Sequence, residues 1–267
     1  MQQRALDLAY LVNWLQRERG MGTGDMQPED TPAWLDSAWE QFRALVNTRE
    51  PLPVPDKFLA AQDRLLQGLV ADAGVTDAAA LPSAPADARL ALWRGDITTL
   101  AADAIVNAAN SGMLGCWIPG HHCIDNAIHT YAGVQLRLEC ARLMRAQGHE
   151  EPTGQAKVTP AFNLPARWIV HTVGPIANGA PTNLHRAQLA QCYRSCLDAA
   201  AQQGCRTVAF CCISTGVFGF PQDEAARIAV ATVQEWLDEH APTTPLRVVF
   251  NVFGDADERI YRELLHG

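Results

Sequence analysis

From residue 89 onward, short apolar runs alternate with longer stretches of helical periodicity, and this alternation limits the fold more than any other feature. Strands are expected at 89–93, 104–108, 156–160, 167–173, 207–213 and 246–252, and helices at 122–147, 184–203, 222–239 and 255–265. The first helix should break near Ala132-Gly133. The run Val208 to Ile213 has no polar face, as suits a strand buried on both sides. Helices between such strands imply right-handed crossovers and a sheet covered above and below, a three-layer α/β/α domain.

Residues 1–88 read differently, as an N-terminal helical extension, and 89–267 as the main domain. Leu6, Leu8, Leu11, Val12 and Leu15 fit one amphipathic helix. A glycine-rich loop, Gly20 to Gly24, follows. Trp34, Ala38, Phe42 and Leu45 fit a second helix started by Thr31-Pro32, and Phe58, Leu59, Leu65, Leu66 and Leu69 a third. Val75 to Asp87, rich in Ala and Pro, reads as a connector. The extension carries no catalytic constellation; it reads as a cap on the main domain, with a partner-docking surface as the alternative.

The net charge of −8 is concentrated in the extension, which holds 7 Lys/Arg against 13 Asp/Glu. No basic stripe is available for a phosphate backbone, so no nucleic acid partner is expected. No apolar run reaches the ~20 residues of a membrane helix and no signal core opens the chain, so the expectation is a cytoplasmic protein with no membrane partner. Without a long amphipathic seam, a monomer is expected. Of the eight cysteines, Cys140, Cys192, Cys196, Cys205, Cys211 and Cys212 lie in apolar patterns and read as buried thiols. Cys116 and Cys123 differ, because His121 and His122 stand between them.

Three motifs end strands. Gly95-Asp96-Ile97-Thr98 places a carboxylate where it could accept from an exocyclic amine, or simply cap a turn. Asn107 and Asn110 offer amides suited to sugar hydroxyls, or to turn formation. Ser214-Thr215-Gly216-Val217-Phe218-Gly219 runs from a buried strand toward a helix, with Gly216 and Gly219 free to take positive φ and the N–H groups free to cradle an anion.

In this order, the three motifs resemble the macrodomain family over roughly residues 89–267. The resemblance implies a mixed central sheet and an ADP-ribose ligand. Asp96 would hold adenine, with Ile97 giving a backbone N–H and Phe253 bordering the pocket. Ser214, Thr215, Gly216, Val217 and Phe218 would wrap the diphosphate, and Asn107 and Asn110 would face the distal ribose.

Two Cys and one His also form a soft donor set that leaves one of zinc's four positions open, the mark of a catalytic rather than a closed structural site. On spacing alone His121 and His122 compete as the imidazole ligand. The segment Gly115 to His129 resembles the zinc-containing macrodomain subfamily, the sirtuin-linked bacterial type, which also has an N-terminal helical extension. That resemblance implies Cys116, His121 and Cys123 as ligands of Zn2+. Asp125 lies four residues before His129 on one helix face, so the two could meet, and His171 reads as a satisfied core histidine.

The expected function is a zinc-dependent hydrolase that removes mono-ADP-ribose from O-linked, Asp/Glu-type protein side chains, with Asn110 and Asp125 as candidate catalytic residues. The metal could lower the pKa of a bound water or act as a Lewis acid, and the sequence does not choose. A lipoyl-carrier protein is the candidate modified partner by resemblance. The alternatives are a non-catalytic ADP-ribose-binding module with a structural zinc, and an O-acetyl-ADP-ribose deacetylase.

Overall fold

The structure, a computed structural model, describes residues 2–21, 25–240 and 245–266. Of the expected Gly20–Gly24 loop, residues 22–24 lie outside the described residues. The extension comprises α1 (Gln2–Glu18), α2 (Pro32–Asn47) and α3 (Asp56–Ala73). Leu8, Leu11, Leu15, Phe42, Phe58 and Leu66 fill the core between them. Leu6, placed on the apolar stripe by its spacing, is instead exposed. Thr31 caps α2 as its sequence suggests, its hydroxyl accepting from the Trp34 N–H at 3.4 Å.

The main domain runs through β2 (Leu90–Arg94), β3 (Leu100–Ala101), β4 (Ala104–Ala109), α4 (Ile124–Ala132), α5 (Val134–Gln147), β5 (Ala156–Pro160), β6 (Trp168–Val173), α6 (Asn183–Gln202), β7 (Thr207–Phe210), α7 (Gln222–His240), β8 (Arg247–Val252) and α8 (Asp255–His266). Six strands form one mixed sheet in the order β2-β8-β7-β4-β6-β5, parallel except for the antiparallel edge strand β5. The stretch read as a connector is structured. It contributes β1 (Thr76–Asp77), paired in parallel with β3, and its Ala79 and Leu81 carbonyls accept from Arg247.

Two departures from the expected pattern shape the site. The chain steps from β4 to β6 on one side of the sheet and then crosses to β7 and β8 on the other, so the direction of winding reverses between β4 and β7. Open α/β sheets bind ligands at such a point, outside the carboxyl ends of the strands. The β4–β7 ladder pairs only Ala104 with Val208 and Ile105 with Ala209, whereas β4–β6 pairs along all of β4. Beyond Ile105, β4 and β7 are therefore not laddered. Strand β7 also stops at Phe210 instead of running to 213, because the chain turns there into the loop over the sheet.

The break between α4 and α5 falls at Gly133, with φ +96°. That φ strains any side chain, and a Cβ there would also lie 2.6 Å from the Gln62 amide nitrogen. Gln62, on α3, also accepts from the Val134 N–H at 3.0 Å and starts α5 from the extension side.

Candidate active site

The loop after β7 is held from both ends. Phe220 N–H donates to Ser214 O at 2.9 Å, and Gly219 N–H to Gly216 O at 2.9 Å. Across the cleft, Ala177 and Gly179 N–H donate to Phe218 O at 2.8 Å and Gly219 O at 2.7 Å. Among the described residues, the N–H groups of Thr215, Gly216, Val217 and Phe218 have no protein acceptor. Four consecutive free donors beside a helix start form an anion cradle. Positive φ falls at Gly219 (+63°) and at Ser214 (+65°), and not at Gly216 as the glycine spacing suggested. The Ser214 hydroxyl is buried without a partner. Gly174 abuts it: a Cβ there would sit 2.0 Å from Ser214 Oγ, a close approach that the motif reading did not identify.

On the far side, Asp96 is exposed while one of its carboxylate oxygens accepts from Thr98 N–H at 2.9 Å and Thr98 Oγ1 at 2.7 Å. It is therefore a turn cap whose second oxygen remains available. Ile97 is buried, so it can offer a ligand only its backbone. Phe253 stands exposed just past β8, and Val217 is exposed at the tip of the cradle.

The structure corrects one of the two asparagines. Asn107 does not face an open ribose site; it is wholly buried. Its Nδ2 donates to Asp125 Oδ1 at 2.8 Å and lies 3.1 Å from His171 Nδ1. Its Oδ1, by contrast, is buried without a partner. Asn110 is half-buried, and its amide is engaged: Nδ2 donates to Gly115 O at 3.0 Å and Asp125 Oδ2 at 3.3 Å, and Oδ1 accepts from Gly112 N–H at 3.0 Å. Both oxygens of Asp125 thus accept from asparagine amides. Burial pushes this carboxyl up to about 6, against the two amide hydrogen bonds and the Arg137 charge, which favour its ionised form.

His129 lies behind Asp125, with Nε2 3.6 Å from Asp125 Oδ1. Burial, with the His171 and Arg137 charges adding, holds it well below the usual histidine range, so it is neutral. Both its ring nitrogens lack a hydrogen-bond partner. His171 is the satisfied core histidine expected, with Nε2 2.9 Å from Thr159 Oγ1. His129, Cys140 and His171 also bring ligand-type atoms within 4.8 Å of one another. Both His171 nitrogens are already engaged, by Thr159 and Asn107, and of the trio it is His129 that stands behind Asp125.

Cys116, His121 and Cys123 converge, their ligand atoms all within 4.8 Å of one another. Cys116 Sγ lies 3.5 Å from His121 Nδ1. Bond lengths of about 2.3 Å to sulfur and about 2.0 Å to nitrogen, opened to a tetrahedral angle, put S and N about 3.5 Å apart. The donor set and its spacing therefore fit one tetrahedral soft-metal ion. Cys123 also caps α4, its sulfur accepting from Asn126 N–H at 3.4 Å. Burial drives the Cys123 thiol upward, with the neighbouring Cys116 and Asp125 charges adding and the Asn126 N–H opposing. A thiolate here calls for a cation. His122, the competing imidazole, points to solvent.

These features have counterparts in known proteins. The Macro domain model matches residues 106–229. A protein-ADP-ribose hydrolase from Treponema medium is 49% identical, covering 96% of this chain and 97% of its own length. One from Staphylococcus aureus (strain MRSA252) is 51% identical, covering 96% and 94%. Among solved structures, the Oceanobacillus iheyensis macrodomain with ADP matches with TM-score 0.59 and 39% identity over 65% of this chain and 88% of that one. The Trypanosoma brucei macrodomain in complex with ADP gives 0.63 and 31% over 84% and 95%. With near-full-length relatives at about half identity, a reversed winding point under a cradle of free amides, and the family model across that region, the chain belongs to the macrodomain family.

Proposed function

We propose that this chain is a zinc-dependent protein-ADP-ribose hydrolase that releases mono-ADP-ribose from Asp/Glu-type ester linkages. The observation that carries the reading is the Cys116–His121–Cys123 triad on the loop leaving Asn110 and entering the helix that bears Asp125. The names of the near-full-length relatives support the activity, and the ADP-bound structures of similar macrodomains support the ligand class. The diphosphate lies on the free amides of 215–218, adenine lies toward Asp96 and Phe253, and the distal ribose lies toward Asn110 and the triad.

Zinc, when bound, supplies a positive charge and Lewis acidity beside the scissile bond. The chain's own groups do the rest. In hydrolysis, water gives its oxygen to the ribose anomeric carbon, the bond from that carbon to the protein carboxylate oxygen breaks, and one water proton must be removed. The departing Asp or Glu leaves as a carboxylate whose conjugate acid has a pKa of ~4, so it needs no proton donor. The step requires a base. Asp125, raised to about 6, is ionised at neutral pH and still basic enough to take that proton. Asn107 and Asn110 fix its two oxygens.

One observation favours a second reading. Asn110 and Asp125 saturate each other and the Gly112–Gly115 turn, as they would in a non-catalytic ADP-ribose-binding module with a structural zinc. The test is ADP-ribose release from protein modified on Asp/Glu, on Ser, or from O-acetyl-ADP-ribose. Release from the Asp/Glu substrate above the other two supports the proposal. Release only from the small ester makes the chain a deacetylase, and firm binding with no release makes it a reader. A lipoylated carrier protein is the first modified partner to test. The protein is expected to act as a monomer in the cytoplasm; among the described residues no helix is long and apolar enough to cross a membrane.

A further inference from the structure

The metal loop is held by side chains outside it. Between residues 114 and 121, Gly115 O accepts from Asn110 at the end of β4, and the other backbone groups that bond side chains reach α2, α4 or α5. Gly120 N–H donates to Asn47 Oδ1 at 3.0 Å, and Asn47 Nδ2 donates to Thr130 Oγ1 on α4 at 2.9 Å. Arg43 donates to Asn126 Oδ1 at 3.2 Å and to His121 O at 3.4 Å, the carbonyl of the imidazole ligand itself. Asn126 in turn donates to Ile118 O at 3.1 Å. Arg137, on α5, closes the frame. Its Nε donates to Leu114 O at 2.6 Å and its Nη2 to Cys116 O at 3.4 Å, while Nη1 holds Val46 O at 3.1 Å and Arg49 O at 2.8 Å at the end of α2. Its guanidinium also lies 4.3 Å from the Trp117 ring centroid.

Asn47 and Arg43 are almost wholly buried, at 1% and 9% exposure, although they belong to the extension and not to the macrodomain. A plain cap would meet the domain through apolar packing. Here α2 instead presents buried polar groups that bond the loop backbone at Gly120 and His121 and the α4 side chains of Asn126 and Thr130, and such bonded polar groups specify geometry. The α2 contacts reach the backbone at the ligand His121 and at Gly120 just before it; the Arg137 bridge reaches that of the ligand Cys116. A flexible eight-residue loop must be ordered before three ligands can share one ion, and α2 orders it beforehand.

We propose that α2 of the N-terminal extension is part of the metal centre's framework, with Asn47 and Arg43 acting as positioning residues that hold Cys116, His121 and Cys123 at coordination spacing. This rests on the metal reading above. It gives the extension a role in catalysis that neither a cap nor a partner-docking face would have.

The test measures zinc affinity of the full chain by competition with a chromogenic chelator, for the wild type, Asn47→Ala, Arg43→Ala and the extension-core variant Leu66→Val. Outer partners of metal ligands typically change affinity about 10–100-fold. Asn47→Ala and Arg43→Ala should fall in that range and should alter the thiolate-to-metal absorption of the cobalt-substituted protein. ADP-ribose affinity should be unchanged. Leu66→Val, which loosens the extension core away from the loop, should lower thermal stability while leaving zinc affinity and the cobalt spectrum as in the wild type. If Asn47→Ala and Arg43→Ala bind zinc as tightly as the wild type, or if Leu66→Val weakens zinc as much as they do, the proposal is overturned. A wild type that binds no zinc overturns the metal reading itself and the proposal with it.

Discussion

Asp125→Asn should change stability in a way that depends on pH and should abolish turnover. The Asp125 carboxyl is buried and pushed from its ordinary 3.8 to about 6, so its ionised form is disfavoured in the folded state. The sign follows from linkage. A carboxyl with a raised folded pKa adds stability fully below 3.8, and that stability is lost as pH rises through about 6. The displacement corresponds to about 3 kcal/mol between the two limits. The amide of the variant cannot ionise, so it escapes this loss. It does put one N–H against the Asn107 or Asn110 amide donor, a cost of about 1–3 kcal/mol that does not vary with pH. His129, held neutral by burial, makes stability rise with pH toward 6.5, but it does so in both proteins and cancels in their difference. Urea denaturation in a chelating buffer, run from about pH 4 to about pH 8, isolates the pH-dependent part. The stability difference, wild type minus Asp125→Asn, should fall by about 2–3 kcal/mol across that range. Parallel curves would refute the idea that a charge is buried at Asp125, and with it the base assigned there.

Two further substitutions probe the backbone of the site. Gly174→Ala places a Cβ 2.0 Å from Ser214 Oγ and 2.9 Å from Ile213 Cγ2. It should displace the cradle and weaken ADP-ribose binding at least about tenfold, or about 1.4 kcal/mol, in calorimetry, while the zinc content stays at wild-type level. Gly115→Ala imposes a left-handed cost of about 1–2 kcal/mol at φ +80° and a Cβ 2.7 Å from His129 Cγ. It should lower zinc affinity and turnover with ADP-ribose affinity intact, as read by chelator competition beside calorimetry.

What could be read from the chain divides along physical lines. Strands buried on both faces leave apolar runs, so the six-strand sheet and the helices between its strands were visible, as was the break at Gly133. The Cys116, His121 and Cys123 donors lie within eight residues, so their convergence was a local property. Asn107 was set toward the ribose by the motif resemblance, and a motif at the end of a strand covered on both faces does not tell which of its side chains turn into the core. Gly216 was credited with the unusual backbone that Ser214 adopts, because glycine permits positive φ without requiring it. Arg43, Asn47 and Gly174 carry no motif. The two α2 residues meet the loop across 73 and 78 positions of chain, and nothing in the local pattern marks a buried polar residue on an amphipathic helix as a loop anchor.

On this reading a metal on the 116–123 loop is needed for hydrolysis and not for holding ADP-ribose. The most direct measurement is single-turnover release of ADP-ribose from an Asp/Glu-modified protein, with calorimetric ADP-ribose binding on the same samples: zinc-loaded, chelated, Cys116→Ala and Cys123→Ala. Release should be lost in the three metal-poor samples while ADP-ribose affinity stays within about threefold of the zinc-loaded chain, a difference of under about 0.7 kcal/mol. Undiminished release from the chelated and cysteine variants would contradict this reading, as would binding that disappears together with turnover.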